Sequence, residues 1–106
     1  MHKLLFGNPV FDLPVMSTCR SGDKWYDALA VGVQFEICDV NGDPIGKTGA
    51  VTALDLVSWD ELDDEMVADN HDPACRTLDG LETGMDTAYP SGWDRDTLTI
   101  ITFTLE

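Results

Sequence analysis

Apolar and polar positions along the chain fall into stretches of two different periods. Val31, Val33, Phe35 and Ile37 alternate with Gly32, Gln34, Glu36 and Cys38, the two-residue period of a half-buried strand. Asp39 to Pro44 follows, and its Asn41-Gly42 pair predicts a type I′ hairpin, whose two central residues both take positive φ. Ile45 to Leu56 should return antiparallel, with Gly46 and Gly49 marking bulges or a bend. Nearer the start, Phe11, Leu13 and Val15 alternate with Asp12, Pro14 and Met16 and predict a strand over Val10 to Thr18. Pro14 lacks an amide hydrogen, which places that strand at an edge or makes it irregular. Leu4, Leu5 and Phe6, closed by Gly7-Asn8-Pro9, fit a first edge strand or a mobile terminus equally well. Thr97 to Leu105 is rich in threonine and β-branched residues and offers apolar groups to both faces, as a central strand does.

Helical spacing takes over in the second half. Ser58 and Glu61 have capping-box spacing, and Trp59, Leu62, Met66 and Val67 share one face opposite Asp60, Asp63, Asp64 and Glu65. This predicts a helix from Trp59 to Ala68. After a turn-rich break at Asp69 to Pro73, a second helix is expected with Thr77 as its cap and Asp79 in its first turn. Leu78, Leu81, Met85 and Tyr89 would face inward, and Pro90-Ser91-Gly92 would end it. Lys24 to Leu29 has room for one helical turn. The predicted fold class is α+β, a single domain over 1–106: a small curled mixed β-barrel of about five strands with two helices inserted before the last strand.

Charge changes the picture of what this fold can meet. Twenty acidic residues face six basic ones, a formal net charge of −14, and thirteen of the acids lie between Asp55 and Asp96. That field opposes a phosphate backbone, so no duplex DNA binding is expected. No apolar run approaches the roughly 18 residues of a membrane span, and Met1 to Gly7 lacks a secretory apolar core. Three widely spaced cysteines, Cys19, Cys38 and Cys75, do not suggest a disulfide framework. The expected location is the cytoplasm of a bacterial host cell, with no membrane partner.

Against this field, Ser17 to Tyr26 stands out because it carries two of the six cations, Arg20 and Lys24. Gly22 lets a backbone approach a ligand closely, and Trp25 and Tyr26 supply aromatic walls. A lysine beside such walls, with Thr18 upstream, could serve proton transfer or amide hydrolysis. The plainer reading is a surface turn in which Lys24 pairs with Asp23 or Asp27. His71 and Cys75 have His-x3-Cys spacing, but a four-ligand zinc site would have to gather all three cysteines, so neither metal nor cofactor is expected. His71 and Asp72 instead hold a loop while Cys75 packs as a small hydrophobe.

With Arg20-Ser21-Gly22-Asp23-Lys24-Trp25, the strand Val31 to Asp39 and the run Asn70 to Leu81 in view, the chain resembles small bacteriophage-type proteins of the ASCH superfamily, relatives of the PUA fold. The likeness spans roughly Val10 to Leu105. It implies a small β-barrel with a cleft for RNA or modified nucleosides, and in some members an amidohydrolase acting on acylated cytidine through a Lys, a Thr and a Glu. Gly22 and Lys24 fall on the family's Gly-x-Lys. Asp27 stands where a Glu is usual, Leu29 where the motif carries Arg, and Asp27 also occupies the place of the threonine three residues after the lysine. Thr18 would then have to supply the hydroxyl, with Glu36 and Glu61 as candidates for the carboxylate.

Two functions follow as expectations. One is a cleft around Arg20, Gly22, Lys24, Trp25 and Tyr26 that binds a nucleotide, modified nucleoside or single-stranded RNA, with Lys24 and Thr18 as the catalytic pair of any amidohydrolase. The other is a phage-encoded acidic protein that imitates a nucleic-acid backbone and occupies a basic host protein, inhibiting a defence or nucleic-acid enzyme.

Overall fold

The computed structural model describes Met1–Glu106. Strands β1 (His2–Leu5), β2 (Met16–Ser21), β3 (Gln34–Cys38), β4 (Pro44–Val57) and β5 (Leu98–Leu105) form one sheet in the order β1-β3-β4-β5-β2. β1 runs parallel to β3, and every other pairing is antiparallel. Helix α1 (Lys24–Ala28) joins β2 to β3, and α2 (Leu78–Ala88) precedes β5. This is the expected α+β class, a five-stranded mixed sheet curled into a half-barrel with two helices. β1 resolves the open choice at the start of the chain in favour of an edge strand.

Curling is built into β4. Ile37 pairs with Lys47 but Cys38 with Pro44, so Ile45 and Gly46 are left as a bulge without partners on β3, Gly46 at φ +80. A second irregularity between Val51 and Ala53 skips Thr52 opposite β5. Two bulges in one strand give it the extra twist that bends a sheet. Gly49 does something else: a Cβ there would overlap the ring of Phe35, so the glycine admits a close approach by a core aromatic.

Each face of the sheet carries its own core. Leu4, Met16, Phe35, Ile37, Val51, Ile101 and Phe103 fill the concave side. Cys19, Leu98, Leu62, Val67, Leu81 and Met85 pack on the convex side, beneath α2. β5 contributes to both, which is why its apolar residues do not alternate simply.

Three local expectations differ from what forms. The strand expected from Val10 begins at Met16, as β2; Phe11 and Leu13 still pack on the concave core, but from the loop before it. The β3–β4 connection is not type I′, because no non-glycine residue takes positive φ. Asp39 Oδ1 instead accepts from the amides of Asn41 (2.9 Å) and Asp43 (3.1 Å), and Gly42 alone, at φ +84, turns left-handed. Trp59–Glu61 forms a single 3-10 turn where the helix to Ala68 was expected. The capping contact exists, with the Ser58 amide donating to Glu61 Oε1 at 2.9 Å. Beyond it the aspartates compete with the helix: Asp63 Oδ1 accepts from the Met66 amide, and Asp64 Oδ1 from the Leu78 amide, both at 2.8 Å. The second helix forms as expected, with Thr77 accepting from the Gly80 amide at 3.2 Å and Leu81 and Met85 buried.

Candidate functional site at the barrel seam

The sheet does not close. Its two edge strands approach each other, and the gap is filled by side chains instead of a ladder. Met16, Thr18 and Arg20 share the concave face of β2 by the two-residue period. The Arg20 guanidinium carbon lies 4.7 Å from the centroid of Phe6, the residue just past β1. Phe6 meets His71 edge-on at 4.8 Å, and Phe11 stacks on the same imidazole at 5.3 Å. The loop before α2 docks on the free edge of β2 through two bonds of 2.9 Å, Ser17 amide to Asp69 carbonyl and His71 amide to Ser17 carbonyl.

A cleft of about 890 Å³ opens along this seam. One wall is the end of β1, Leu5 to Asn8; the floor is Thr18 to Arg20; the other wall is α2 with the segment Asn70 to Cys75. The α2 wall depends on two glycines. A Cβ on Gly80 would overlap the Ala74 carbonyl oxygen, and one on Gly84 would stand 2.7 Å from Cys75 Sγ, so the 3-10 turn Pro73–Cys75 can lie against the helix.

The polar groups in the cleft are few and oriented. Arg20 Nε donates to Thr18 Oγ1 at 3.2 Å, which leaves both terminal guanidinium nitrogens without a partner in the chain. Three of the six cations form ion pairs: Lys3 with Glu36, Arg76 with Asp12 and Arg95 with Glu82. Lys24 and Lys47 are exposed, so Arg20 is the cation withdrawn from solvent with no carboxylate to balance it. Burial lowers its pKa from the ordinary value, yet a guanidinium remains charged. Asn70 is 4 % exposed; its Oδ1 accepts from the Asp72 amide at 2.9 Å, which turns Nδ2 toward the cleft with no partner in the chain. No buried side-chain nitrogen or oxygen is left unsatisfied, so these free donors must reach the open space of the cleft.

His71 Nδ1 sits 3.2 Å from the Val10 carbonyl, and burial depresses its pKa, with Arg20 adding to the effect. The ring is thus held neutral, with Nδ1 as the donor. Asp72 is occupied: it accepts from Asn8 Nδ2 (2.9 Å) and the Ala74 amide (3.0 Å), and Cys75 Sγ donates to it at 3.6 Å. Tyr89 Oη accepts from the Ser21 amide at 3.3 Å, keeping its own proton to give. Burial raises the thiols of Cys19 and Cys75 to about 12 and about 11, far from thiolate chemistry.

Of the six residues expected in sequence to form the cleft, Thr18 and Arg20 line it, as do His71, Asp72 and Cys75, which were expected only to hold and pack a loop. The other four do not. Gly22, at φ +80, ends β2, and its carbonyl accepts from Thr99 Oγ1 at 2.8 Å. Lys24 Nζ lies over the Trp25 ring at 5.0 Å, and Trp25 packs on the concave core and meets His2 edge-on. Tyr26 is exposed on α1. Asn70, His71 and Tyr89 join the site from 50 or more residues away in the chain. The signal that could have assigned Asn70 and His71 to the cleft is an asparagine and a histidine in an otherwise acidic break, whereas Tyr89 was visible only as an inward residue of the second helix.

No family model and no curated protein matches the sequence. Among solved structures, the chain is similar to the ASCH domain from Lactobacillus crispatus, with a TM-score of 0.55 and 14 % identity over 86 % of this chain and 62 % of that one. It is also similar to a protein from Enterococcus faecalis, with a TM-score of 0.52 and 19 % identity over 86 % of this chain and 59 % of the other. The chain thus spans about three fifths of the length of either protein, and its fold is ASCH-like. No helix is long and apolar enough to cross a membrane.

Proposed function

We propose that the chain is a PUA-like binding domain that takes a nucleotide, a modified nucleoside or the end of a single-stranded RNA into the seam cleft. The observation that supports this best is Arg20: an unbalanced guanidinium, fixed by Phe6 and Thr18, with two free nitrogens at the floor of an open cleft. The Thr18 and Phe6 contacts hold the half-buried group in place while its free nitrogens stay open to the cleft. A ligand oxygen can accept from them, and Leu5 and Val40, which line the same cleft and are exposed, offer apolar surface to a ring. Binding takes precedence over hydrolysis because Lys24 stands apart from the cleft that holds Thr18. The three buried, unpaired cysteines suit a reducing compartment such as the cytoplasm.

Titrating nucleoside 5′-monophosphates into the protein, followed by NMR or calorimetry, tests this reading. Wild type should bind, Arg20→Met should lose about ten-fold or more in affinity, and Lys24→Ala should bind as wild type does. Loss of binding in Lys24→Ala with none in Arg20→Met would move the site to α1 and end the reading.

The acidic-decoy reading retains one specific support, seventeen acids without an ion pair. Asp63 and Asp64 are engaged by main-chain amides, so reversing them would perturb folding as well as charge. Asp60→Lys with Glu65→Lys removes charge where no such bond exists. Inhibition of a basic partner that survived this pair would count against mimicry by that segment.

A further inference from the structure

We infer that the cleft takes one small molecule with a single anionic or carbonyl head group, such as a nucleoside or its monophosphate, and excludes a polynucleotide strand. This rests on the cleft being a nucleotide-binding site and narrows its ligand.

The charge geometry carries the inference. Arg20 is the cation among the lining residues, and Asp72 lines the same cleft, so the walls supply no surplus of positive charge. Arg76 and Arg95 are engaged by Asp12 and Glu82, each at 2.8 Å. Lys24 and Lys47 do not line the cleft. Two donor groups without a partner in the chain belong to cleft-lining residues, the terminal nitrogens of Arg20 on the floor and the Nδ2 of Asn70, a residue only 4 % exposed, on the wall. These donors suffice for one phosphate, carboxylate or carbonyl group. Nothing is placed to neutralise a second.

A strand leaving the cleft would also meet repulsion. Asp79 and Asp86, neither in an ion pair, lie on α2, the helix whose Thr83 and Thr87 form the wall. The whole chain carries −14. Strand-binding grooves instead track successive phosphates with successive cations and lose affinity steeply with salt. The volume agrees, since about 890 Å³ falls within the range of small-molecule sites.

Length and salt decide the matter in one titration. Affinities for uridine 5′-monophosphate and for an octauridylate would be measured at two salt concentrations, with wild-type protein and with Arg20→Met. The inference expects the octamer to bind no more than about three-fold tighter than the monomer, a margin set by statistics of its ends. The slope of log K against log salt should be no steeper than about −1 for either probe, the release expected for one contact. An octamer bound ten-fold tighter, or with a slope of several units, overturns the inference and leaves the nucleotide-binding reading standing. An octamer that binds when the monomer does not has the same consequence. Failure of both probes overturns the inference and the reading together. Affinity for the monomer unchanged in Arg20→Met overturns the head-group assignment.

Discussion

The guanidinium of Arg20 lies 4.7 Å above the ring of Phe6, so the two edges of the sheet meet through a cation and an aromatic face where a closed barrel would have a ladder. A cation–π contact of this kind contributes about 0.5–2 kcal/mol, depending on how far it is desolvated. Burying an unbalanced charge costs an amount of the same order or larger. Arg20→Met keeps the stem over Phe6 and removes the charge. The thermal midpoint of this variant should stay level or rise, while ligand affinity falls. A midpoint lowered by many degrees would mean that the guanidinium holds the seam together.

Gly80 and Gly84 set the cleft wall, and their substitution should run against helix propensity. In an exposed helix, Gly→Ala stabilises by about 1 kcal/mol. Here a methyl on Gly80 would meet the Ala74 carbonyl, which belongs to the backbone and cannot rotate away. Gly80→Ala should therefore lose about 1–3 kcal/mol in urea denaturation. Gly84→Ala meets the Cys75 sulfur at 2.7 Å and should cost less, because a side chain can yield.

Stability should depend on pH through His71. Burial holds its pKa below the ordinary 6.5, with Arg20 and Arg76 acting in the same direction and the Val10 carbonyl and Asp72 opposing. The unfolded chain then binds the proton more readily than the folded one. The contribution is complete above pH 6.5 and is lost as pH falls through the folded value. Urea midpoints from pH 7.5 down to roughly 5 should decline, and His71→Phe should flatten that part of the profile. An unchanged slope in the variant would assign the acid sensitivity to the carboxylates.

Cys19 and Cys75 should resist alkylation in the folded protein. With pKa values pushed up to about 12 and about 11 and both side chains buried, almost no thiolate exists at pH 8. Iodoacetamide followed by mass spectrometry should show slow labelling that becomes rapid in denaturant. Fast labelling of Cys75 under native conditions would show that the α2 wall opens.

How much of this was legible in the residues depended on distance along the chain. The alternation at Phe35 and Ile37, the glycine at the hairpin, the Thr77 cap and the two-faced last strand are all local, and each formed. The expected helix over Trp59 to Ala68 failed because period alone cannot show that aspartate oxygens will take main-chain amides. The strand expected from Val10 failed because a loop also packs alternate residues when a core lies beneath it. Arg20 was visible as a rare cation. Its separation from Lys24 was not, since β2 continues through Ser21 and carries Arg20 to the concave face before α1 begins. Asn70 and His71 come to Ser17 through a single rung formed across more than fifty residues, and no spacing rule reports such a meeting.

The seam has one more consequence. Phe6 belongs to the concave core and Leu81 and Met85 to the convex one, yet all three face the same cleft. A molecule lodged there would act as a wedge shared by two otherwise separate interiors, resisting the melting of either. Occupancy at a hundred times the dissociation constant adds about 2.7 kcal/mol to the folded state. A simple melting curve in the presence of candidate compounds can therefore serve as the screen that finds the ligand.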